Sequence, residues 1–399
     1  MAGLALIGGR LVDGTDSPPL EPATVVLEEG RVAAVGPAAA TVLPPDASVI
    51  DVAGRTVLPG LIDGHMHVTG MPGLLDERTM LEAQLEASEI LRACLVRGTT
   101  TVGHAGGSRE SLVLRDLVDA GRLPGRARLR VSGVVTATGG HVRGEGVDGP
   151  WAVRSVARRM ALEGFDFYKT TATGGFMWLH EGLGTPDYTR EELDALVAEA
   201  RLRHRLVHCH AHGQPGLQNA VEAGCDVILH GTYADESALE GMARQGLVFM
   251  PTLYVTSEWS WGRTPRPPQV NERIRAAHDP HRTAVARARE LGVPLATGTD
   301  GFPRPEALVR ELEELVGCGL TPHEALLAAT RDAARALGLD HDLGTIEVGK
   351  LGDCLVVDGD PLADVAVLAD PAALALVVKE GVVESGRLAD ADAHTGRLS

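Results

Sequence analysis

The pattern of apolar and polar residues divides the chain into three stretches. Before residue 59, short apolar runs alternate with turn signals, which is typical of β-strands joined by tight turns. Residues 24–27 and 32–35 predict one hairpin, and residues 49–52 and 56–58 predict another. We therefore expect the first stretch to be all β.

The last stretch returns to the same pattern. Residues 354–358 form a strand-like run, and 374–378 and 382–383 flank a turn at Lys379-Glu380-Gly381. Because β-rich segments at both ends enclose a different central pattern, they predict one small domain assembled from both termini. The predicted division is a composite β-sandwich domain from 1–58 and 345–385, a central domain from 59–344, and a loose tail from 386–399.

The central stretch alternates strand-length apolar runs with longer helical patterns. Apolar residues at helical spacing predict amphipathic helices over 75–97, 189–203 and 235–245. Because a strand followed by a helix recurs eight times, the predicted fold class is α/β, with a (β/α)8 TIM barrel in the centre. The predicted strands are 61–68, 99–104, 128–136, 165–171, 205–211, 226–230, 247–252 and 294–299.

Two helix starts carry capping signals. Thr189 precedes Glu192, and Thr321 precedes Pro322 and Glu324. In this pattern the threonine hydroxyl accepts from the backbone N–H three residues later, and the glutamate reaches back to the threonine N–H. Both positions therefore predict a helix N-terminus.

Composition limits the plausible functions. The chain has 399 residues, 44% of them hydrophobic, which is enough to bury a large core. Its net charge of −17 argues against nucleic acid or an anionic membrane as partner, since phosphate binding needs clustered lysine and arginine. No run of about 18 apolar residues occurs, and residues 1–8 lack the basic region of a signal peptide. No membrane span is expected.

The cysteines indicate the compartment. Their number is odd, and none forms a Cys-x-x-Cys motif. This disfavours a disulfide framework or a structural zinc ribbon and fits a reducing cytoplasm, which is the expected location. They are Cys94, Cys209, Cys225, Cys318 and Cys354.

A pair of histidines follows the first predicted barrel strand, at the end of the run 58–67. Residues two apart in a strand point to the same side, so His65 and His67 face together. The carboxyl end of a barrel strand opens onto the active-site mouth, where two imidazoles make half of a divalent-metal site. An isolated His-x-His, however, is more often an ordinary surface or core pair.

Lys169 lies within the strand-like run 165–171. Burying a lysine is unfavourable, and desolvation lowers the pKa of its amine and so makes it more nucleophilic. Alternatively, the side chain could reach solvent from the strand end or pair with a carboxylate. The residue alone does not decide between these explanations.

Three further strand ends carry residues able to bind metals. His208, His210 and His212 share one face of the fifth strand, while His230 ends the sixth strand and Asp300 the eighth. We expect His208 to be a structural core histidine, and Asp300 could instead cap an Asp-Gly turn. For His210 and His230 a metal role is favoured, because each lies at a predicted carboxyl strand end.

Taken together, these motifs make the chain resemble the amidohydrolase superfamily from Gly30 to Gly381. Within it, the chain is most similar to the imidazolonepropionase-like and prolidase-like branch, which includes Xaa-Pro and Xaa-Arg dipeptidases and ochratoxinase. The motifs that carry the resemblance are 58–67, Gly98-Thr99-Thr100-Thr101, Thr138-Gly139-Gly140-His141, Lys169, His210-Ala211-His212-Gly213, His230-Gly231-Thr232-Tyr233, Thr299-Asp300 and 344–357.

The resemblance implies a centre of two divalent metal ions, usually zinc. His212 remains an alternative to His210 and otherwise lines the substrate pocket. The implied ligands are His65, His67 and Asp300 for the more buried ion, His210 and His230 for the second, and Lys169, carboxylated by carbon dioxide, as the bridge.

The resemblance also implies that a metal-activated hydroxide hydrolyses an amide of a small molecule, a dipeptide or an N-acyl amino acid. Asp300 would accept the proton of the hydroxide and pass it to the leaving amine. His141 and Tyr233 match positions that contact the scissile carbonyl or a carboxylate of the substrate, and would stabilise the oxyanion. Homo-oligomers are common among such relatives, and whether this chain self-associates stays open.

Some residues depart from the family pattern and put the dipeptide substrate in doubt. Loop tryptophans usually pack onto the barrel, but Trp178 could also contact an apolar part of the substrate. The departing residues are His104, where many relatives have an aspartate, and Trp178, His180, Trp259, Trp261 and Arg263, in the loops after strands four and seven.

Three other functions occur with related site residues: deamination, opening of a cyclic amide, and non-catalytic binding. Deaminases of the superfamily carry a glutamate three residues after the strand-five histidine and lack the lysine, whereas this chain has Gly213 after His210 and keeps Lys169. The same two-metal centre could open a cyclic amide. A non-catalytic binding protein is disfavoured, because such relatives lose metal ligands.

Overall fold

The computed structural model describes residues 3–69, 77–261, 266–301 and 304–388. The strands form one sheet from the two ends of the chain and one from its centre. The strands are β1 (Leu4–Leu11), β2 (Leu20–Glu28), β3 (Arg31–Pro37), β4 (Ser48–Asp51), β5 (Thr56–Pro59), β6 (Leu61–Met66), β7 (Thr99–His104), β8 (Arg128–Val135), β9 (Phe167–Thr171), β10 (Val207–Ala211), β11 (Val227–His230), β12 (Val248–Met250), β13 (Cys354–Val357), β14 (Leu374–Lys379) and β15 (Val382–Ser385).

The helices lie between the central strands and after them. Their bounds are α1 (Glu77–Val96), α2 (Arg109–Asp119), α3 (Pro150–Glu163), α4 (Arg190–Leu202), α5 (Gly216–Ala223), α6 (Glu236–Gln245), α7 (Leu253–Thr256), α8 (Pro268–Glu290), α9 (Ala307–Gly317), α10 (Pro322–Ala328) and α11 (Arg331–Ala336), with 3-10 helices at Val365–Ala369 and Pro371–Ala373. Within the described ranges, no helix combines the length and the apolar character needed to cross a membrane.

The terminal sheet has eight strands in the order β15-β14-β13-β5-β1-β2-β3, with β4 also paired to β1. The predicted hairpins β2–β3 and β14–β15 are confirmed, since both pairs are antiparallel neighbours. The division of the chain into domains at residues 58 and 345 stays a prediction, as does the start of the tail at 386. Residues 389–399 of that tail lie outside the described residues.

The predicted hairpin between 49–52 and 56–58 is wrong. Its two strands, β4 and β5, do not pair with each other, because each pairs in parallel with a different part of β1. β1 is eight residues long and therefore offers hydrogen-bonding positions to both in succession. The turn at Ala53-Gly54 thus moves the chain along β1 instead of reversing it.

The central sheet confirms the α/β barrel class. Seven parallel strands, β6 to β12, lie side by side in the order in which they occur in the chain. The predicted eighth strand, 294–299, forms only an isolated bridge between Leu295 and Phe249. Its backbone nevertheless closes the ring, since Ala296 N donates to Phe249 O at 3.0 Å and Gly64 N donates to Thr297 O at 3.0 Å.

The helix starts follow the sequence signals. Thr189 and Glu192 form a reciprocal capping box at the start of α4, and Thr321 and Glu324 do so at the start of α10. The helices predicted over 75–97, 189–203 and 235–245 are found as α1, α4 and α6. The first two residues of that first range, 75 and 76, lie outside the described residues.

A buried ion pair joins the barrel to the terminal sheet. Arg128, the first residue of β8, donates to Asp353 at 2.8 Å, and the two side chains are only 3% and 4% exposed. The same guanidinium also pairs with Glu380 in the β14–β15 turn. Asp353 completes the junction by accepting from Glu380 N at 2.8 Å.

Removing this cation should destabilise the fold strongly. We expect Arg128→Met to lower the free energy of unfolding by about 3–5 kcal/mol, because it leaves the buried Asp353 carboxylate without its counter-charge. Urea unfolding at neutral pH measures the change. The control Arg122→Met alters an exposed arginine and should change stability by less than about 0.5 kcal/mol. Equal stability of the two variants would contradict the prediction.

Candidate functional site

A cavity of about 100 Å³ opens at the carboxyl ends of the barrel strands. This is the face on which barrel enzymes build their sites. Its polar lining brings together most of the residues predicted from the sequence. These are His67, His141, Lys169, His210, His212, His230 and Asp300.

Closure of the barrel places Asp300 on the two histidines that follow β6. The backbone N–H groups of Thr299 and Asp300 both donate to the carbonyl oxygen of His65, at 3.0 and 2.7 Å. This brings Asp300 Oδ1 to 3.2 Å from His65 Nε2 and 3.1 Å from His67 Nε2. The two ring nitrogens and the carboxylate thus converge, as the sequence predicted.

His230 completes a compact set of donor atoms. One ligand atom from each of His65, His230 and Asp300 lies within 4.8 Å of the others. Nitrogen and oxygen donors of this kind suit zinc and similar divalent ions. The residues present therefore fit a metal ion.

The strand-five histidines both reach the cavity. His210 lies 4.6 Å from His230 between ring centroids, and His212 lies 4.9 Å from it. His210 Nε2 is 3.4 Å from the carbonyl oxygen of Gly174, which can only accept a proton, so Nδ1 remains for the cavity. His212 instead uses Nδ1 towards Thr232 Oγ1 at 2.9 Å and leaves Nε2. Both remain able to bind a metal.

Four histidines of the site, His65, His210, His212 and His230, are held neutral, which is the form that binds metals. Burial lowers the pKa of His65 to about 3, and the nearby Lys169 charge adds to this effect. Burial likewise holds the pKa values of His210, His212 and His230 well below the ordinary value.

The pKa values of Asp300 and Lys169 are both lowered, but by different interactions. Burial alone would raise the pKa of Asp300, but hydrogen bonds from His65 and His67 hold it well below its usual range, so the carboxylate is ionised. Burial lowers the pKa of Lys169 to about 8, against the attraction of Asp300. A neutral amine, the form that reacts with carbon dioxide, is therefore accessible near neutral pH.

Lys169 is unusual in this chain. Lysine occurs only three times in 399 residues. The other two lysines, Lys350 and Lys379, have carboxylate partners, whereas within the described structure Lys169 has no ion pair. Its central strand, β9, is buried throughout. The side chain thus points into the cavity without a counter-ion beside it.

The backbone at the site is strained. Three non-glycine residues there have positive φ angles: His230 at 68°, Thr252 at 56° and Asp300 at 48°. Such angles are unfavourable for residues with a Cβ, and most of all for β-branched Thr252. Strain of this kind often marks functional sites, where surrounding contacts enforce it.

Glu181 was not identified from the sequence, although it contacts a predicted substrate residue. Its Oε2 lies 2.8 Å from His141 Nδ1 and accepts from Gly175 N at 2.9 Å, while its Oε1 accepts from Arg143 at 3.1 Å. A carboxylate only accepts, so His141 carries a proton on Nδ1. The loop after β9 is irregular, and no sequence signal links its Glu181 to His141.

The sequence also gave no prediction for two threonines that contact cavity histidines. Thr252 Oγ1 lies 2.7 Å from His230 Nδ1, and Thr232 Oγ1 lies 2.9 Å from His212 Nδ1. Each hydroxyl fixes the orientation of a cavity histidine. Both follow strand ends by two residues, which is the only signal that could have suggested them.

Tyr233 and Trp178 are near the cavity mouth but do not line the cavity. Tyr233 N donates to His212 O at 2.8 Å, and its side chain is 38% exposed. Trp178 is 39% exposed, with the Arg143 guanidinium 4.7 Å from its ring centroid. Their contact with a substrate stays a prediction.

Other candidate residues pack away from the cavity. His208 donates from Nε2 to Ala336 O at 2.8 Å in the core, as expected of a structural histidine. His104 is buried between Thr69 Oγ1 and the Met66 carbonyl. His180 lies beside Arg143. The remaining loop residues are Trp259 against Arg310, Trp261 bonded to Thr256 O, and Arg263, which lies outside the described residues.

The fold and the site together define an α/β barrel with a candidate metal site at the carboxyl ends of its strands. The chain matches the amidohydrolase family over residues 56–383. It therefore belongs to the amidohydrolase family, as the sequence motifs indicated. Members of this family generally bind metal, and the His65, His230 and Asp300 cluster is a candidate metal site.

Several characterised proteins are similar to it. Ochratoxinase from Aspergillus niger is 31% identical over 252 residues, which cover 60% of this chain and 50% of that enzyme, so the match spans half of the relative. Imidazolonepropionase from Caulobacter vibrioides is 27% identical over 383 residues, 85% of this chain and 88% of that protein. The crystal structure of a Xaa-Pro dipeptidase with bound methionine superimposes with a TM-score of 0.86 at 27% identity, covering 96% of this chain and all of that one (100%).

The threonine pair tests which strand-five histidine binds metal. Thr252→Val should weaken zinc binding about 10- to 100-fold, because His230 loses the hydroxyl that orients its ring. The matched change Thr232→Val should leave affinity within about threefold if His210, not His212, is the ligand. Competition with a chromogenic chelator measures both affinities. Unchanged binding in Thr252→Val would contradict a ligand role for His230.

Proposed function

We propose that this protein is a binuclear metal-dependent hydrolase that cleaves an amide bond in a dipeptide or an N-acyl amino acid. The observation that carries the proposal is the convergence of neutral histidines, an ionised Asp300 and the unpaired Lys169 on one cavity. A neutral histidine is the form that binds a metal ion, whereas a histidine acting as an acid without a metal would have to be protonated.

The metal ligands follow from the donor atoms. His65, His67 and Asp300 would hold one ion, with His210 and His230 holding the second. A carboxylate formed on Lys169 would bridge them, since the amine is buried beside both groups. When bound, two divalent ions make a water molecule acidic enough to supply hydroxide near neutral pH.

Asp300 is proposed as the general base and acid. It is ionised and faces the cavity, so it can accept a proton from the attacking water. Its position is fixed, because its own N–H donates to His65 O at 2.7 Å. The same carboxyl group can then protonate the leaving amine.

His141 and Tyr233 are proposed to contact the substrate carbonyl or carboxylate. Glu181 holds the His141 ring through Nδ1, which leaves Nε2 for the substrate. The ring stacks on His210, with centroids 4.2 Å apart. Glu181 thereby acts as a positioning residue.

The rim of the cavity favours a substrate with an apolar part. Phe176 and Met177 line the cavity, and Trp178 and Leu179 continue the same loop at 39% and 52% exposure. Exposed apolar side chains at a cavity mouth are typical of ligand contacts. The methionine bound in the active site of the similar Xaa-Pro dipeptidase supports a substrate with such a group.

The role of Asp300 can be tested by an isosteric change. Asp300→Asn should lower kcat by about 10²- to 10⁴-fold, because the amide cannot exchange the proton, while zinc stays bound. A dipeptide and N-acyl amino acid library assayed on zinc-loaded protein supplies the substrate. Asp279→Asn on α8 changes an exposed carboxylate and is the control. Near-normal turnover in Asp300→Asn would refute the proposed role.

The bridging role of Lys169 predicts a loss that small acids repair. Lys169→Ala should lose both zinc and activity, and acetate or propionate should partly restore them by replacing the missing carboxylate. Zinc content per chain, measured by mass spectrometry after dialysis with and without the acid, is the readout. Lys350→Ala, remote from the cavity, should retain zinc. Full zinc content in Lys169→Ala would show that the bridge is wrong.

A further inference from the structure

One cation on the cavity wall has no partner among the described residues. Arg266 lies just before α8 and lines the same cavity as Lys169 and Asp300. In the described part of the chain, its side chain forms no hydrogen bond and no ion pair, and its Nε is buried without an acceptor. A buried donor left unsatisfied is unfavourable.

Two other arginines with little exposed side chain have carboxylate partners. Arg128 pairs with Asp353 and Glu380, and Arg115 pairs with Asp116 and Asp166. Arg266 differs from both, although the chain as a whole is acidic, with a net charge of −17.

Asp300 does not serve as the counter-ion. Its charge acts on Arg266 from a distance, but its carboxylate is engaged by His65 and His67. Burial lowers the pKa of Arg266, yet a guanidinium remains protonated at any physiological pH. The cavity thus keeps a permanent positive charge that faces inwards.

We propose that Arg266 is the receptor for a free carboxylate on the amino-acid side of the substrate. A guanidinium presents two parallel N–H groups that match the two oxygens of a carboxylate. Val255, Ile274 and Phe176 line the same cavity, and an apolar lining strengthens such a pair. The inference rests on the proposed function and assigns a binding residue to the carboxylate that a dipeptide or an N-acyl amino acid carries beside its amide.

In this arrangement, binding of the carboxylate and reaction of the amide take place in different parts of one cavity. The histidines and Asp300 occupy the strand ends, where the reacting amide must lie. Arg266 belongs to the segment leading into α8, so it contacts the substrate from another element. Substitution of Arg266 should therefore change substrate affinity and KM far more than kcat.

The test uses two probes that contain no amide and differ only in the acidic group. L-Leucine carries the carboxylate, and L-leucinol carries a neutral hydroxymethyl group in its place. Calorimetric titration of zinc-loaded wild-type protein should show a preference for leucine of about 10- to 100-fold, the loss expected for a charged hydrogen-bonded pair. Zinc could also attract the carboxylate, so the comparison between variants isolates Arg266.

Arg266→Met should lower the preference for leucine by about 10-fold or more relative to the wild type, and Arg266→Lys should keep part of it. The control Arg275→Met makes the same chemical change at an exposed position on α8 and should retain the full preference. Thermal unfolding of each variant verifies that it is folded. No preference in the wild type, or an undiminished preference in Arg266→Met, would overturn the proposal.

The outcome for Arg266 is separable from that for the proposed function. Arg266-dependent preference for leucine, with no amide of the library cleaved, would leave the carboxylate site standing and remove the hydrolase proposal. Cleavage of amides, with a preference unaffected by Arg266→Met, would do the reverse.

Discussion

The site depends on one backbone junction, the carbonyl oxygen of His65 that accepts from both Thr299 and Asp300. This junction joins the first strand of the barrel to the segment that closes it. It also fixes the Asp300 carboxylate against the His65 and His67 rings. Without closure, residues more than 200 positions apart in the chain would not share a cavity.

A buried carboxylate, that of Asp63, stabilises this junction by accepting hydrogen bonds from both of its sides. Asp63 accepts from Thr299 Oγ1 at 2.7 Å, Thr299 N at 3.1 Å and His65 N at 3.2 Å. Burial raises its pKa to about 6, against these hydrogen bonds. The N–H groups of Thr299 and Asp300 donate to Asp63 and to His65. They therefore do not form a regular β-ladder with the neighbouring strands. This explains why a run with strand-like sequence forms only one bridge.

Desolvation sets the chemistry of the cavity. The same burial that keeps His65, His210, His212 and His230 neutral lowers the pKa of Lys169 to about 8 and strengthens charge interactions inside the cavity. Supporting groups then decide orientation: Thr252 holds His230, Thr232 holds His212, and Glu181 holds His141. The positive φ angles at His230, Thr252 and Asp300 show that these contacts are strong enough to maintain an unfavourable backbone.

The sequence by itself determined the barrel class, the helix starts and most of the metal-binding side chains that line the cavity, because apolar periodicity, capping pairs and strand-end histidines are local signals. It could not determine that β4 and β5 both pair with β1, since strand partners depend on the whole sheet. Nor could it reveal the roles of Glu181 and of Arg266, which has no partner among the described residues, because both depend on the surrounding side chains. Tertiary structure decided those points by placing distant side chains in one water-poor cavity, where charge and hydrogen-bond partners must be accounted for.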